Sequence, residues 1–564
     1  MKKITLTALL FSLSLATAFA QETVQVTDAS INAGEKVIWT ANKSYVLNGM
    51  VFVEDSAELY IEAGTVIKAQ DGSGNNASGL VISQGGKIFA EGTPTKPIIF
   101  TSILDELNGN LTYEDRGLWG GVIILGKAQT NNATARQIEG VNEIVGAGDV
   151  RANYGGEDDD DNSGVFRYVS IRHTGKAVGD QAGNEIQGLT LGAVGRGTVI
   201  EYVESFASDD DGYEWFGGTV DAKYLVSAFA ADDGFDWDEG FRGRGQFWFV
   251  IQGTDAAGRM AEMDGAIGDE QGSPYSKPVL SNVTYLGDGK DNTAQVSGDG
   301  SQGLIFRDNS GAEYYNSIFG DFKGQPNAPA IKVEDVDAAK AEQDSRARLE
   351  AGELKIMNNF WFDFAVGNTV EALVDQEFVR TSAYFKDNQL VNPQLRGISR
   401  DTDGGLDPRL SDASPARNAS NQALYTDSWF KKVTYVGAFE NYNWLAGWTA
   451  LSQLGYVGSK ADEFVTRTEE IEREQPSQIR LAQNFPNPFN PSTQISFSLN
   501  RATEVTLSVY DVNGRLVSTL ANNKGFAAGT HSLQFDASKL ASGVYMYQLK
   551  TNAAIITKMM TLIK

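Results

Sequence analysis

The chain has 564 residues and a formal net charge of −26, an excess that argues against nucleic acid and anionic membrane surfaces as partners and is compatible with cations or cationic partners. It contains no cysteine, so disulfides and thiolate metal sites are excluded, and two histidines leave little room for zinc or for histidine acid–base chemistry. Sixty glycines, eight methionines and many short Val/Ile/Phe/Tyr runs point to β structure with frequent turns.

Residues 1–20 read as a secretory signal peptide: Lys2 and Lys3, an apolar run from Ile4 to Leu15, then a small-residue cleavage pattern ending at Ala20. The mature chain is expected to begin near Gln21. No later stretch approaches the ~20 apolar residues of a membrane span, so no transmembrane segment is expected. From 22 to about 102, short apolar runs alternate with Gly turns, as in GMVFVEDSAELYIEAGTVIKA and GLVISQGGKIFAEGTPTKPIIFTS. These motifs resemble the first coils of right-handed parallel β-helices. Because a bare first coil is an open sheet edge, residues 22–45 are expected to supply a cap.

GLWGGVIILGKAQ (117–129) reads as another coil, followed by an excursion to Gly164 that carries the acidic turn 157–161. VFRYVSIRHTG (165–175) then opens a repeat but sits 34 residues ahead of its next copy, which implies an insertion of about twelve residues. His173 falls in the turn after this strand and reads as a turn residue.

Between 198 and 255 the register becomes explicit. With a step of 22 residues Asp210 falls on Asp232, Asp211 on Asp233, Glu214 on Asp236 and Trp215 on Trp237, while Val203, Leu225 and Phe247 share a column. Such a period is that of stacked solenoid coils. It also stacks like charges about 4.8 Å apart, where each pair repels by about 3 to 4 kcal/mol at an effective dielectric of ~20. Twelve acids face one base, Lys223, between 201 and 239. Bound cations, raised carboxyl pKa values, the nearby Arg242 and Arg244, or splaying into solvent would relieve this. The candidate metal ligands are Asp209, Asp210, Asp211, Glu214, Asp232, Asp233, Asp236 and Asp238, and hard oxygen donors in loops suit Ca²⁺ best. The plain alternative is that these are solvated turn residues.

Beyond 255 the coils become irregular, with KPVLSNVTYLGDG, GLIFRDNSGAEYYNSIFGDF and MNNFWFDF as strand units and 333–353 as a helical excursion. Asp401-Thr402-Asp403-Gly404 is only loosely like a Ca²⁺ loop, and Trp429, Trp444 and Trp448 are expected to close the core. The β-helix domain is thus drawn at 21–457, a charged linker at 458–478, and a small antiparallel β-sandwich at 479–564 from its period-2 strands. The fold class is all-β. In the last segment Pro486, Asn487, Pro488 and Phe489 within NFPNPFNPST, Gly514 within YDVNGR, and Gly543 and Tyr545 within SGVY resemble the type A C-terminal sorting domain of the type IX secretion system. The resemblance implies export through that machinery to the surface or exterior of a Gram-negative bacterium.

The paired DDG-x-E-W-F-G-G and DDG-x-D-W-D-E-G segments resemble a group of exported bacterial β-helix surface proteins without an assigned reaction, often found alongside outer-membrane receptors. The expected function is therefore a Ca²⁺-stabilised binding or structural surface protein. Trp215, Trp237, Trp248, Arg242 and Arg244 are its candidate ligand-binding residues, and a surface polysaccharide or outer-membrane receptor its candidate partner. The alternative is a polysaccharide-active enzyme, since parallel β-helices host pectate lyases and polygalacturonases, although the hydrolases' Gly-His-Gly and Arg-x-Lys elements are absent here. A concave acidic cleft with a basic residue in reach would favour the enzyme, and a flat aromatic platform would favour binding.

Overall fold

In a computed structural model the described residues are 21–458 and 479–563, apart from 73, 133–135, 147, 179–185, 267–271, 294–300, 327, 337–343, 482–483, 485–486, 488, 500, 512–514, 528 and 552–554. The expected signal peptide, nearly all of the linker, and Pro486, Pro488 and Gly514 lie outside them. Two compact units divide near residue 459.

The first unit is a parallel β-helix with three strand faces. Strands Glu58–Ile61, Val66–Ala69 and Gly79–Ile82 make one coil, and each pairs in parallel with its counterpart in the next: Glu58 with Lys87, Val66 with Ile99, Leu80 with Val122. From Gly164–Arg172 onward the first two faces meet at a corner where one residue per coil adopts a left-handed backbone. Tyr168, Tyr202, Tyr224, Phe247, Asn282, Asn316 and Asn358 occupy it, with φ between 49° and 60°. Asparagine accepts this region readily and tyrosine does not. The tyrosines gain by stacking on one another, Tyr168 on Tyr202 at 4.4 Å and Tyr202 on Tyr224 at 4.2 Å between ring centres. The asparagines hold the segment that returns over the corner: Asn282 donates to the Tyr435 carbonyl and Asn358 to that of Ala419.

The 34-residue step is present, with Val165 on Val199, and the 22-residue step follows, with Val203 on Leu225 and Trp215 on Trp237. The next step departs from the expected column. Lys223 pairs with Gln246 and Val226 with Phe249, a step of 23, because the turn leaving Asp238 is one residue longer than the one leaving Phe216. A one-residue slip exchanges inside and outside. Trp248, not Phe247, therefore points into the core beneath Leu225, and Phe247 joins the corner column against Tyr224.

Residues 22–45 are not a separate cap. Glu22–Val26 pairs in register with Lys43–Leu47, and Lys36–Trp39 and Lys43–Leu47 pair in turn with Glu58–Ile61 and Val66–Ala69, so these strands are already part of the coil. At the other end Leu373, Val374 and Val379, from two short helices, complete the core. The helical excursion is seen as Ser345–Glu350, capped by Asp344. Trp444 and Trp448 are buried in the returning segment, as the sequence implies, whereas Trp429 stays partly exposed beneath Lys223. The second unit is an antiparallel sandwich of a three-stranded and a four-stranded sheet, with its own core around Ile495, Phe497, Leu507 and Tyr547. There Asn487 accepts from the Thr561 amide, Tyr545 is buried, and Gly543 opens the strand Gly543–Lys550.

Trp215 is fully buried and stacked on Trp248 at 5.1 Å, within 4° of parallel. Trp215→Ala is expected to lower unfolding stability by about 3 to 5 kcal/mol in chemical denaturation. A loss below about 1 kcal/mol would show that the ring does not carry core packing.

Candidate metal centre

The site lies on the outer surface of the third face. Along each strand side chains alternate, so Tyr213 and Trp215 point inward while Glu214 and Phe216 point outward. Register then builds two outward rows. One runs Ile123, Thr190, Glu214, Asp236, Glu262 and Ile305, and the other Leu125, Gly192, Phe216, Asp238, Asp264 and Arg307. Both begin apolar, turn acidic and end with the charge dispersed. The apolar part is covered by the 130–163 excursion, whose Ile138, Val141, Ala152 and Tyr154 pack on Ile123, Leu125 and Phe216. The acidic part begins where that cover ends.

There a cleft of about 260 Å³ opens. Eight of its nine lining residues are acids: Asp210, Asp211, Asp232 and Asp233 from the turns before the strands, Glu214, Asp236 and Glu262 from the strands, and Glu139 from the excursion. Gln187 is the ninth, donating to Glu139 at 3.1 Å and to Asp210 at 3.4 Å. Asp211 Oδ1 accepts from the Asp233 amide at 2.8 Å, and Asp233 Oδ1 from that of Arg259, so each turn is tied to the next. Gly258 is needed for this approach: a Cβ there would fall 2.3 Å from both Asp232 Oδ1 and Asp233 Oδ1.

Compensating charge from Arg259 and Arg307 reaches one end. Arg259 pairs with Glu262 and lies 3.6 Å from Asp233, while Arg307 pairs with Glu262 and, at 2.7 Å, with Asp264. Asp211, Asp233 and Glu214 are buried, and burial first, then the neighbouring carboxylates, pushes their pKa values well above the usual range. Asp236 is raised in the same way, by burial and then by Glu262. Glu214 Oε2 and Asp236 Oδ1 are enclosed and have no hydrogen-bond partner among the described residues. Two sets of carboxylate oxygens lie within 4.8 Å of one another, Asp210/Asp211/Asp232 and Asp211/Glu214/Asp236. Such donor sets fit a hard divalent cation.

Of the expected ligands, Asp210, Asp211, Glu214, Asp232, Asp233 and Asp236 therefore converge. Asp209 does not line the cleft and is exposed beside Gly117, and Asp238 stands in the second row next to Asp264. Sequence reasoning missed Glu139, Gln187, Glu262, Arg259 and Arg307. Glu139 comes from the excursion and Gln187 from the turn before Leu189–Gly192, while Glu262 and Arg259 follow a step of 26 residues and Arg307 one of 43 rather than 22. The expected ligand-binding residues are corrected. Trp215, Trp237 and Trp248 are fully buried core residues, because inward positions of the strands carry them, so they form no exposed platform. Arg242 is paired with Asp159 at 3.0 Å, and Arg244 with Asp221 and Asp427, away from the cleft. His173 is buried at a corner, its Nδ1 2.6 Å from the Asp115 carbonyl. The Asp403 carboxylate accepts from Gly405 in an ordinary turn.

No helix among the described residues is long and apolar enough to cross a membrane. No curated protein matches the chain. Residues 483–563 match the secretion system C-terminal sorting domain, so the sandwich is a type IX sorting signal that directs the chain to the cell surface or exterior of a Gram-negative bacterium. Residues 30–395, more than half of the sequence, match the pectate-lyase like beta helix domain, and with the three-faced parallel coil described above the chain belongs to that family.

Proposed function

We propose that the β-helix unit is a cation-stabilised binding or structural protein of the cell surface, with Ca²⁺ held in the carboxylate cleft. The observation that carries this reading is the pair of enclosed oxygens, Glu214 Oε2 and Asp236 Oδ1, that no donor among the described residues reaches. A buried ionised oxygen without a donor costs upwards of about 1 to 3 kcal/mol, and a dication among these groups removes that penalty. Ca²⁺ suits the donors because it takes six to eight oxygens in adjustable geometry. Asp210 and Asp232 are half-buried at the mouth, so an ion there keeps coordination positions facing outward. Anionic groups of a surface polysaccharide, or an acidic loop of an outer-membrane receptor, would complete its shell.

One observation favours a second reading, a polysaccharide lyase or glycoside hydrolase: the acidic cleft is concave, and Arg259 and Arg307 reach it. Both guanidinium groups are held by carboxylates, and arginine does not readily give up its proton, which ranks catalysis second. Incubation with acidic polysaccharides distinguishes the two. Binding without new reducing ends or unsaturated products supports the first reading, and turnover that Asp236→Asn abolishes supports the second.

Thermal unfolding with Ca²⁺ and with chelator, at fixed low salt, tests the cation. At 100 times the dissociation constant Ca²⁺ is expected to add about 2.7 kcal/mol. Joint replacement of Asp210, Asp232 and Asp236 by Asn should abolish that gain, and a gain that Na⁺ reproduces would count against a specific site.

Protons relieve the same crowding, which fixes the sign of a pH effect. Burial raises the Asp264 carboxyl to about 7 despite Arg307 beside it, against about 3.9 in an unfolded chain. Its stabilising contribution is therefore full below about pH 4 and lost as pH rises through about 7. Carboxylates held low by arginine, such as Asp149 with Arg151, act below about pH 4 and leave this window unaffected. Metal-free protein should melt higher at about pH 5 than at about pH 7.5, with a smaller difference in Asp264→Asn. A profile rising toward neutral pH would contradict this electrostatic account.

A further inference from the structure

We propose that the cleft holds not one but two divalent cations, bridged by the carboxylate of Asp211, an inference that rests on the cation reading above. The two oxygen sets share one residue. Asp210, Asp211 and Asp232 form the more exposed set, Asp211, Glu214 and Asp236 the other, and Asp211 belongs to both. Its Oδ1 accepts from the Asp233 amide at 2.8 Å, a bond that orients the carboxylate between the sets. A carboxylate presents about four lone-pair directions, so one occupied by an amide leaves a direction for a metal on each oxygen.

The inner set separates this arrangement from mere acid crowding. Glu214 is only 7% exposed, and its Oε2, like Asp236 Oδ1, has no donor among the described residues. The arginines at the cleft are directed to Glu262, Asp233 and Asp264 instead. An ion held by Asp210, Asp211 and Asp232 alone would leave those two inner oxygens unserved. Charge points the same way: the five carboxylates of the two sets carry five negative charges, so one dication leaves three uncompensated and two dications leave one. Dications about 3.5 to 4 Å apart are an established arrangement in two-metal sites. Ca²⁺ is the ion of choice, since sets drawn from two turns and two strands offer no regular octahedron.

Calcium titration calorimetry of the purified protein, with native mass spectrometry to count ions, tests the pair. Two Ca²⁺ per chain are expected. Asp210→Asn and Glu214→Gln should each reduce the count to one, while Asp211→Asn should weaken both sites at least about tenfold, with near-ultraviolet circular dichroism confirming that each variant is folded. One ion per chain, lost in Asp210→Asn and retained in Glu214→Gln, would overturn the bridged pair and leave the single-cation reading standing. No binding would end both. Two ions that persist in Glu214→Gln would place the second elsewhere and overturn the pair.

Discussion

Every feature of the β-helix unit follows from one constraint: residues in register lie one strand spacing from their counterparts in the next coil. A parallel coil has no means of offsetting them, so whatever the sequence repeats, the structure stacks. Repeated apolar residues become a continuous core, in which Trp215, Trp237 and Trp248 pack with Leu189, Leu191 and Phe235. Repeated corner residues become a column of stacked tyrosines that continues as asparagines. Repeated acids become a charged ladder. The first two arrangements stabilise themselves, and the third requires something from outside the repeat.

The molecule meets that requirement unevenly. Along the third face the excursion after Leu125 covers the apolar rows and brings Glu139 to the edge of the acidic ones, where it meets Gln187. At the far end Arg307 enters a row itself and pairs with Asp264, while Arg259 reaches Glu262 from the turn before Ala261–Asp264. Between these two solutions lies the cleft, where Asp210, Asp211, Asp232 and Asp233 from two successive turns meet Glu214 and Asp236 from two successive strands. Its position reflects where two ways of neutralising a stacked surface both end, rather than a separate pocket added to the fold.

How much of this the sequence shows depends on whether a residue belongs to the repeat. The step of 22 carries Asp210 onto Asp232 and Glu214 onto Asp236, and those side chains meet as their spacing implies. Reading fails where the period changes by small amounts. One extra residue after Asp238 turns Phe247 out and Trp248 in, and no composition signal marks it. Four extra residues before Ala261 hide the equivalence of Asp236 and Glu262, and with it Arg259. The tryptophans mislead for a different reason. Aromatic residues beside acids look like a ligand platform in a linear sequence, but in a strand adjacent residues point to opposite faces, so Trp215 and Glu214 are separated by the sheet itself.

The sorting tail gives the ladder a setting. Exported chains commonly gain stability from disulfides, and this one has no cysteine with which to form them. A cation site provides a comparable constraint by another route, since an ion bound only by the folded state contributes its binding free energy to folding. Extracellular Ca²⁺ modules work at about 10⁻⁴ to 10⁻³ M, concentrations met outside the cell and not in the cytoplasm. On the proposed reading the stacked carboxylates would therefore destabilise the coil before export and fasten it afterwards. The electrostatic burden that the repeat imposes would then tie completion of the fold to the compartment in which the protein resides.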